Sequence, residues 1–128
     1  MATIKSYTDI EQSKKLSEIL PLDSADMCYL KREINDTFIE VPISKPKGTI
    51  DRITIPCWSL AALLGVLPKG EYKDTDLCFG GYEGDKYIPE WFCSYEQQEP
   101  FIIEICNADN PVDACYEIIL KLHKLNLL

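Results

Sequence analysis

The amino-acid sequence predicts an α+β protein, with one small domain over residues 1–128. The expected architecture is a mostly antiparallel sheet of about four to six strands, with three helices packed largely on one face. Three observations support it. Three apolar stretches have helical spacing, the segments between them alternate apolar and polar residues, and short turn signals join neighbouring strands into hairpins. A length of 128 residues suits one domain.

The first helix is predicted from Asp9 to Leu20. Thr8 and Glu11 have the spacing of a capping box if Thr8 is the N-cap. Pro21 ends this helix, because the residue before a proline is pushed out of helical geometry.

A β-hairpin is predicted between Met27 and Ile43, where the apolar period shifts to two. Asn35-Asp36 is its turn. Pro42 cannot donate to a ladder, so the second strand is an edge strand or ends there. Ile53 and Ile55 suggest a further short strand.

The second helix is predicted from Cys57 to Leu67, between Pro56 and Pro68. This stretch contains no charged residue, which predicts burial on most sides. Gly65 is unfavourable inside a helix, and a closely packed neighbour is its simplest explanation.

The segment after the second helix contains many aromatic residues and glycines. Leu77–Tyr82 and Tyr87–Tyr95 are predicted strands joined through Glu83-Gly84-Asp85, and Phe101–Cys106 is the final strand.

The last nineteen residues, Asn110–Leu128, predict one capped amphipathic helix. Asn110 is a suitable N-cap, and Pro111 fits the first helical position. The predicted apolar face consists of Val112, Tyr116, Ile119, Leu120 and His123.

The net charge of −8 comes from 13 basic and 21 acidic residues. The basic residues are dispersed, which argues against direct nucleic-acid binding, since phosphate contacts need clustered Lys and Arg. No apolar run is long enough for a membrane span, and the start shows no secretory signal. The expected location is therefore the cytoplasm, with no membrane association.

The acidity is concentrated between Glu71 and Glu99. This segment contains eight acidic residues and only two basic ones, Lys73 and Lys86. One interpretation is a solvated, solubilising surface. The other is a contact surface for a basic partner.

The six cysteines show no C-x2–4-C pair, and His123 is the sole histidine, so no metal site is expected. The expected state is reduced thiols packed in the core. A reactive cysteine stays open as an alternative, as does a cysteine-dependent activity.

Catalytic and cofactor motifs are not found in the sequence. Gly80-Gly81 with Gly84 lacks the Lys-Ser/Thr of a phosphate loop, and hairpin glycines explain it better. We therefore expect no cofactor and assign no catalytic residue, and we lean towards a non-enzymatic protein.

Three further segments are informative as exact strings of residues. They contain Glu11-Gln12-Ser13-Lys14-Lys15-Leu16, then Ile55-Pro56-Cys57-Trp58-Ser59-Leu60-Ala61-Ala62-Leu63-Leu64, and Asn110-Pro111-Val112-Asp113-Ala114-Cys115. Together they resemble a family of uncharacterised short proteins from gut Bacteroidetes and their mobile elements or prophages. They correspond to the three predicted helices. The resemblance implies a cytoplasmic bacterial protein, and it carries no activity or functional residue over to this chain.

The leading hypothesis is a protein-interaction module of mobile-element type, whose acidic, aromatic surface at residues 71–99 binds a basic host protein. The candidate binding residues are Glu83, Asp85, Glu90, Trp91 and Tyr95. A narrower form of the hypothesis has this surface mimic nucleic acid and block a DNA-binding protein. The alternative is a small-molecule-binding domain or an enzyme with an aromatic pocket near Trp58 and Trp91. The oligomeric state stays open.

Overall fold

A computed structural model describes residues 5–32, 37–38, 42–44 and 54–128 of the chain. Its α-helices are α1 (Ile10–Ser17), α2 (Leu60–Val66) and α3 (Pro111–Lys124). Its strands are β1 (Met27–Arg32), β2 (Thr37–Phe38), β3 (Ile43–Ser44), β4 (Thr54–Cys57), β5 (Lys73–Glu83), β6 (Lys86–Gln97) and β7 (Ile102–Ala108). The α+β class is confirmed. The described strands form two antiparallel sheets, and their number is close to the predicted range.

The described chain divides into two compact units, Tyr7–Gly65 and Val66–Leu128, with Lys5 and Ser6 in the second. The first unit contains α1, β1 to β4 and most of α2. The second contains β5 to β7 and α3. The assignment of residues 1–128 to a single domain stays a prediction.

Strand β1 organises the first unit, because β2, β3 and β4 all pair with it in antiparallel register. The hairpin predicted after Met27 corresponds to β1 with β2, and the strand predicted at Ile55 is β4. The predicted turn Asn35-Asp36 and the position of Ile53 lie outside the described residues. Tyr29, Ile55 and Cys57 form the buried cluster of this sheet.

Helix α1 begins one residue later than a Thr8 cap predicts. Asp9 is the N-cap and accepts a hydrogen bond from the backbone N–H of Gln12 at 2.8 Å, while the Gln12 side chain accepts one from the Asp9 N–H at 3.1 Å. The capping box predicted from Thr8 and Glu11 is therefore wrong. Thr8 is fully buried instead, with its hydroxyl 2.8 Å from that of Ser13.

Helix α2 begins at Leu60, three residues after the predicted start. Pro56 and Cys57 belong to β4, where they pair with β1. Ser59 caps the helix, since its hydroxyl accepts a hydrogen bond from the Ala62 N–H at 3.2 Å. The apolar run therefore divides between two elements, because the backbone of its first residues pairs in the sheet.

The burial predicted for the second helix is wrong. Within α2, Leu63 is the residue that is fully buried, while Ala61 and Gly65 are exposed. Outside the backbone of its own helix, a Cβ placed on Gly65 would meet no atom of the described residues within 4 Å. Among those residues, no packed neighbour requires glycine at this position.

The second unit is built on the antiparallel sheet β5-β6-β7. The predicted hairpin is confirmed, and Gly84 has a φ of 65° at the first position of its two-residue turn. Glycine is favoured there because type II′ turns require a positive φ at that position. The predicted final strand is confirmed as β7.

Helix α3 confirms the predicted C-terminal helix and its cap. The side chain of Asn110 accepts a hydrogen bond from the Asp113 N–H at 2.8 Å, and Pro111 is the first helical residue. The predicted apolar face is partly wrong, since His123 is exposed and Tyr116 and Leu120 are half-buried. The residues that α3 buries are Pro111, Val112, Ala114, Cys115, Ile118, Ile119 and Leu122.

Helix α3 packs on β6 and β7 and so gives the sheet two different faces. On the helix-covered face, Cys93 and Tyr95 are buried, and Lys121 forms an ion pair with Glu104 at 3.0 Å. We call the opposite side the open face. Its register-paired residues are Asp74, Asp76, Cys78, Phe92, Ser94, Glu96, Ile103, Ile105 and Asn107.

Candidate functional site

The end of the β5–β6 hairpin carries a group of exposed aromatic side chains within the acidic region. We call residues 79–91 the hairpin arm. Tyr82 and Tyr87 are directly paired across the two strands, and they are 73% and 50% exposed. Their ring centroids lie 5.4 Å apart at an angle of 61°. Edge-to-face contact of this kind stabilises the pair and still leaves both rings accessible.

A second aromatic pair lies at the base of the arm. Phe79 and Trp91 are directly opposite each other, with ring centroids 5.4 Å apart at 63°. Phe79 is 56% exposed and Trp91 is half-buried. Among the predicted site residues, Trp91 therefore lies at the base of the arm with its side chain partly buried.

A β-bulge separates the two aromatic pairs. The register shifts between Phe79 and Gly81, because Pro89 and Glu90 on β6 together oppose Gly80 on β5. Proline suits this position, since a bulge does not need its missing N–H. Gly80 has a φ of 85°, and a Cβ there would collide with the hydroxyl of Tyr87. Gly80 therefore gives the Tyr87 ring room to lie against the backbone.

The three predicted acidic residues all lie on the arm. Glu83 and Asp85 flank Gly84 and are exposed, with Lys86 opposite Glu83. Glu90 accepts a hydrogen bond from the side-chain amide of Asn107 at 2.7 Å. This contact fixes the Glu90 carboxylate, whereas the two acids at the tip project into solvent.

Tyr95 differs from these residues because its side chain is buried. It lies on the same strand face as Trp91, as its spacing implies, but it is only 1% exposed. Its hydroxyl donates to Oε1 of Gln97 at 2.6 Å. Tyr95 therefore belongs to the core of the second unit, and the prediction that it forms part of an accessible surface is wrong.

Trp58 does not offer a ligand-binding surface in the first unit. The side chain is fully buried, and its indole N–H donates to Oγ of Ser24 at 3.0 Å. A ligand would have to displace this contact to reach the ring. The burial of Trp58 gives no support to an aromatic pocket at this position.

Two overlapping open concavities lie at the base of the β5–β6 hairpin, with volumes of about 270 and 380 Å³. They share the residues Glu71, Tyr72, Lys73 and Gln98. The lining is mixed, with both charge signs and one exposed aromatic ring.

A buried polar cluster in the first unit superficially resembles a catalytic group. The Cys57 thiol lies 3.6 Å from the Thr8 hydroxyl and 3.4 Å from the Thr8 carbonyl oxygen, to which it donates. Burial raises the pKa of Cys57, and Ser13 beside it is also fully buried. A protonated, inaccessible thiol is a poor nucleophile, so the cluster is structural.

All six cysteines lie in the described residues, and none forms a disulfide. Cys28, Cys57, Cys93 and Cys115 are buried, as predicted for core thiols, whereas Cys106 is half-buried and Cys78 is exposed. The hydrogen bond with Cys115, reinforced by burial, raises the pKa of Cys93. Within the described ranges, no three His, Cys, Asp or Glu side chains are placed to hold a metal ion.

The chain matches no protein-family model, no curated protein and no solved structure. Over the described part of the chain, no helix has both the length and the apolar character needed to cross a membrane.

The exposed aromatic residues of the arm were not identified as site residues from the sequence. Phe79, Tyr82 and Tyr87 lie in the predicted strands, where aromatic residues most often fill the core or the sheet face. The signal that distinguishes them is Gly80-Gly81 on one strand opposite Pro89 on the other, a combination typical of a bulge.

Proposed function

We propose that the protein is a non-enzymatic interaction module and that its hairpin arm binds a basic surface of a partner protein. The observation that carries this proposal is the Tyr82–Tyr87 pair, which is exposed on the arm next to the turn that carries Glu83 and Asp85. Tyrosine supplies a large contact area at low entropic cost, and it is enriched in interfaces.

The charges on the arm favour a basic partner. Glu83, Asp85 and Glu90 outnumber Lys86 on this segment, and the whole chain has a net charge of −8. Complementary charge speeds association and selects the orientation of the partner, while the central aromatic contacts supply most of the affinity.

The biological setting is part of the same proposal. A cytoplasmic protein of a bacterial mobile element, as the resemblance implies, would use the arm on a protein of its host. If that host protein binds DNA, the acidic arm would compete with nucleic acid for the basic site.

The test is an affinity capture from bacterial lysate under reducing conditions, with the wild-type chain and two charge-reversed variants. One variant carries Glu83→Lys, Asp85→Lys and Glu90→Lys. The matched control carries Glu11→Lys, Glu18→Lys and Asp23→Lys, three exposed acids of the first unit. Both variants have the same net charge, so a difference between them reports the location of the charge.

We expect a protein that wild type and control capture equally and that the arm variant loses. A further variant, Tyr82→Ser with Tyr87→Ser, should lose the same protein at unchanged charge. If the arm variant and the control both lose the captured protein to the same extent, net charge alone explains the loss. Capture that the arm variant retains would show that this surface is the wrong one.

A further inference from the structure

We propose that the open face of the β5-β6-β7 sheet binds an amphipathic basic α-helix of a partner protein. The surface is distinct from the hairpin arm and extends the proposed function to a second contact. The inference rests on three features of this face: exposed apolar side chains on β7, exposed carboxylates on β5 and β6, and the width of the three strands.

The apolar side chains lie where a solvated sheet would have polar ones. Ile103 and Ile105 point away from the helix-covered face and are 49% and 56% exposed. Phe92 on the neighbouring strand is half-buried on the same side. Exposed apolar side chains are typical of interaction surfaces where several of them lie near one another on one face.

The carboxylates determine which occupant fits. Asp74, Asp76 and Glu96 are exposed on this face, and Asp74 is directly opposite Glu96. Like charges placed opposite each other destabilise a sheet. No Lys or Arg is present among the register-paired residues of the open face that the structure describes. A basic partner would relieve this repulsion, whereas a second copy of the acidic chain would add to it.

The dimensions of the face suit a helix. Neighbouring strands are about 4.8 Å apart, so β5 and β7 are separated by about 10 Å, close to the diameter of a helix. Ile103 and Ile105 are about 7 Å apart along the strand, similar to the 6 Å rise between helical positions i and i+4. An apolar stripe of the partner would lie over β7, and a Lys/Arg stripe would lie over β5.

The opposite face supports the same packing mode. There, α3 lies across β6 and β7, with Lys121 of the helix paired to Glu104 of the sheet. The partner helix would complete the second layer of the sheet in a similar way, with its basic residues on the exposed carboxylates.

The test uses a synthetic fluorescein-labelled helical peptide with a leucine stripe and an adjacent lysine stripe, titrated with the full chain by fluorescence anisotropy. A scrambled peptide of the same composition is the first control. Variant Ile103→Thr with Ile105→Thr removes the apolar patch and keeps β-branched residues. Leu22→Thr with Ile43→Thr is its matched control, because those side chains are 41% and 43% exposed in the first unit.

We expect the striped peptide to bind the wild type and the Leu22/Ile43 control equally and the Ile103/Ile105 variant at least roughly tenfold more weakly. Asp74→Asn with Glu96→Gln should weaken binding and reduce its salt dependence. Tyr82→Ser with Tyr87→Ser on the arm keeps the net charge and should leave peptide affinity unchanged, which separates this surface from the proposed function.

Four outcomes of the binding experiment would overturn the proposal. They are equal binding of the scrambled peptide, no saturable binding of the striped peptide, unchanged affinity of the Ile103/Ile105 variant, and loss of binding confined to the Tyr82/Tyr87 variant. Sedimentation of the wild type as a dimer that Ile103→Thr with Ile105→Thr dissociates would also overturn it, because a second copy would then cover the face. Thermal unfolding of each variant confirms that it is folded.

Discussion

The hydroxyl of Tyr29 donates a hydrogen bond to the backbone carbonyl of Thr8, with 2.7 Å between the two oxygens. Both residues are buried, and the contact joins β1 to the residue before the α1 cap. Burial, followed by the neighbouring Cys57 thiol, raises the pKa of Tyr29. The phenol must therefore stay protonated to remain in place.

Replacing Tyr29 with phenylalanine removes this hydrogen bond and leaves the Thr8 carbonyl without that donor. We expect the free energy of unfolding at pH 7 to fall by about 1–2 kcal/mol, measured by urea denaturation. Tyr72→Phe is the control, since Tyr72 is 67% exposed. Equal stability of wild type and Tyr29→Phe would show that the hydrogen bond contributes nothing net.

The same residue predicts a loss of stability at alkaline pH. In the unfolded chain Tyr29 ionises near pH 10, while the folded chain holds its proton to higher pH. The unfolded state then binds fewer protons, so the free energy of unfolding falls as the pH rises above about 10 and is unaffected below it. Between pH 9.5 and 11, denaturation curves of the wild type should shift more than those of Tyr29→Phe. If the denaturation curves of the wild type and of Tyr29→Phe shift equally with pH, the loss of stability does not come from Tyr29.

Asp9→Ala should lower the free energy of unfolding by about 1 kcal/mol, because Asp9 is the N-cap of α1. Glu11→Ala should change it by less than about 0.5 kcal/mol, since Glu11 is exposed outside the observed capping box. The comparison by chemical denaturation separates the observed cap from one formed by Thr8 and Glu11. A larger loss for Glu11→Ala would favour the second arrangement.

We expect alanine substitutions at Gly80 and at Gly65 to change the free energy of unfolding in opposite directions. Gly80→Ala should destabilise by about 1 kcal/mol or more, because its φ is 85° and the new Cβ would displace the Tyr87 ring. Gly65→Ala should stabilise by about 0.5–1 kcal/mol, since it lies in α2 with open space around it. Thermal unfolding of the two variants measures both signs. A stabilising Gly80→Ala would argue against the bulge geometry.

The cysteines should differ in their rates of alkylation. Cys78 is exposed, Cys106 is half-buried and the remaining four are buried. With iodoacetamide under native conditions, mass spectrometry should show labelling first at Cys78, then at Cys106, with the buried thiols labelled at the rate of unfolding. Rapid labelling of Cys57 or Cys115 would instead support the hypothesis of a cysteine-dependent activity.

The fold class and most elements could be predicted because their signals are local. Asn110 and Pro111 mark the start of α3, and Gly84 marks the hairpin turn. The start of α2 could not, because the pairing of Cys57 with Met27 on β1 depends on residues distant in sequence.

The candidate site was predictable only in part. Glu83 and Asp85 are exposed, as acids flanking a hairpin turn should be. Tyr95 is buried and Tyr82 is exposed, although both are aromatic residues of predicted strands. The difference comes from α3, which covers one face of the sheet, and from the bulge, which changes the side-chain phase along β6. Neither effect is encoded in the spacing of the aromatic residues alone.

The extra residue at Pro89 and Glu90 has a consequence for the evolution and engineering of this hairpin. The bulge changes which side of the hairpin successive side chains point to. The side-chain orientations in the main sheet therefore do not depend on the residues beyond Gly81. The tip can therefore be lengthened by pairs of residues, or replaced by a foreign recognition loop, while Cys93 and Tyr95 keep facing α3. The fold has a ready display position whose sequence is free to diversify independently of the core.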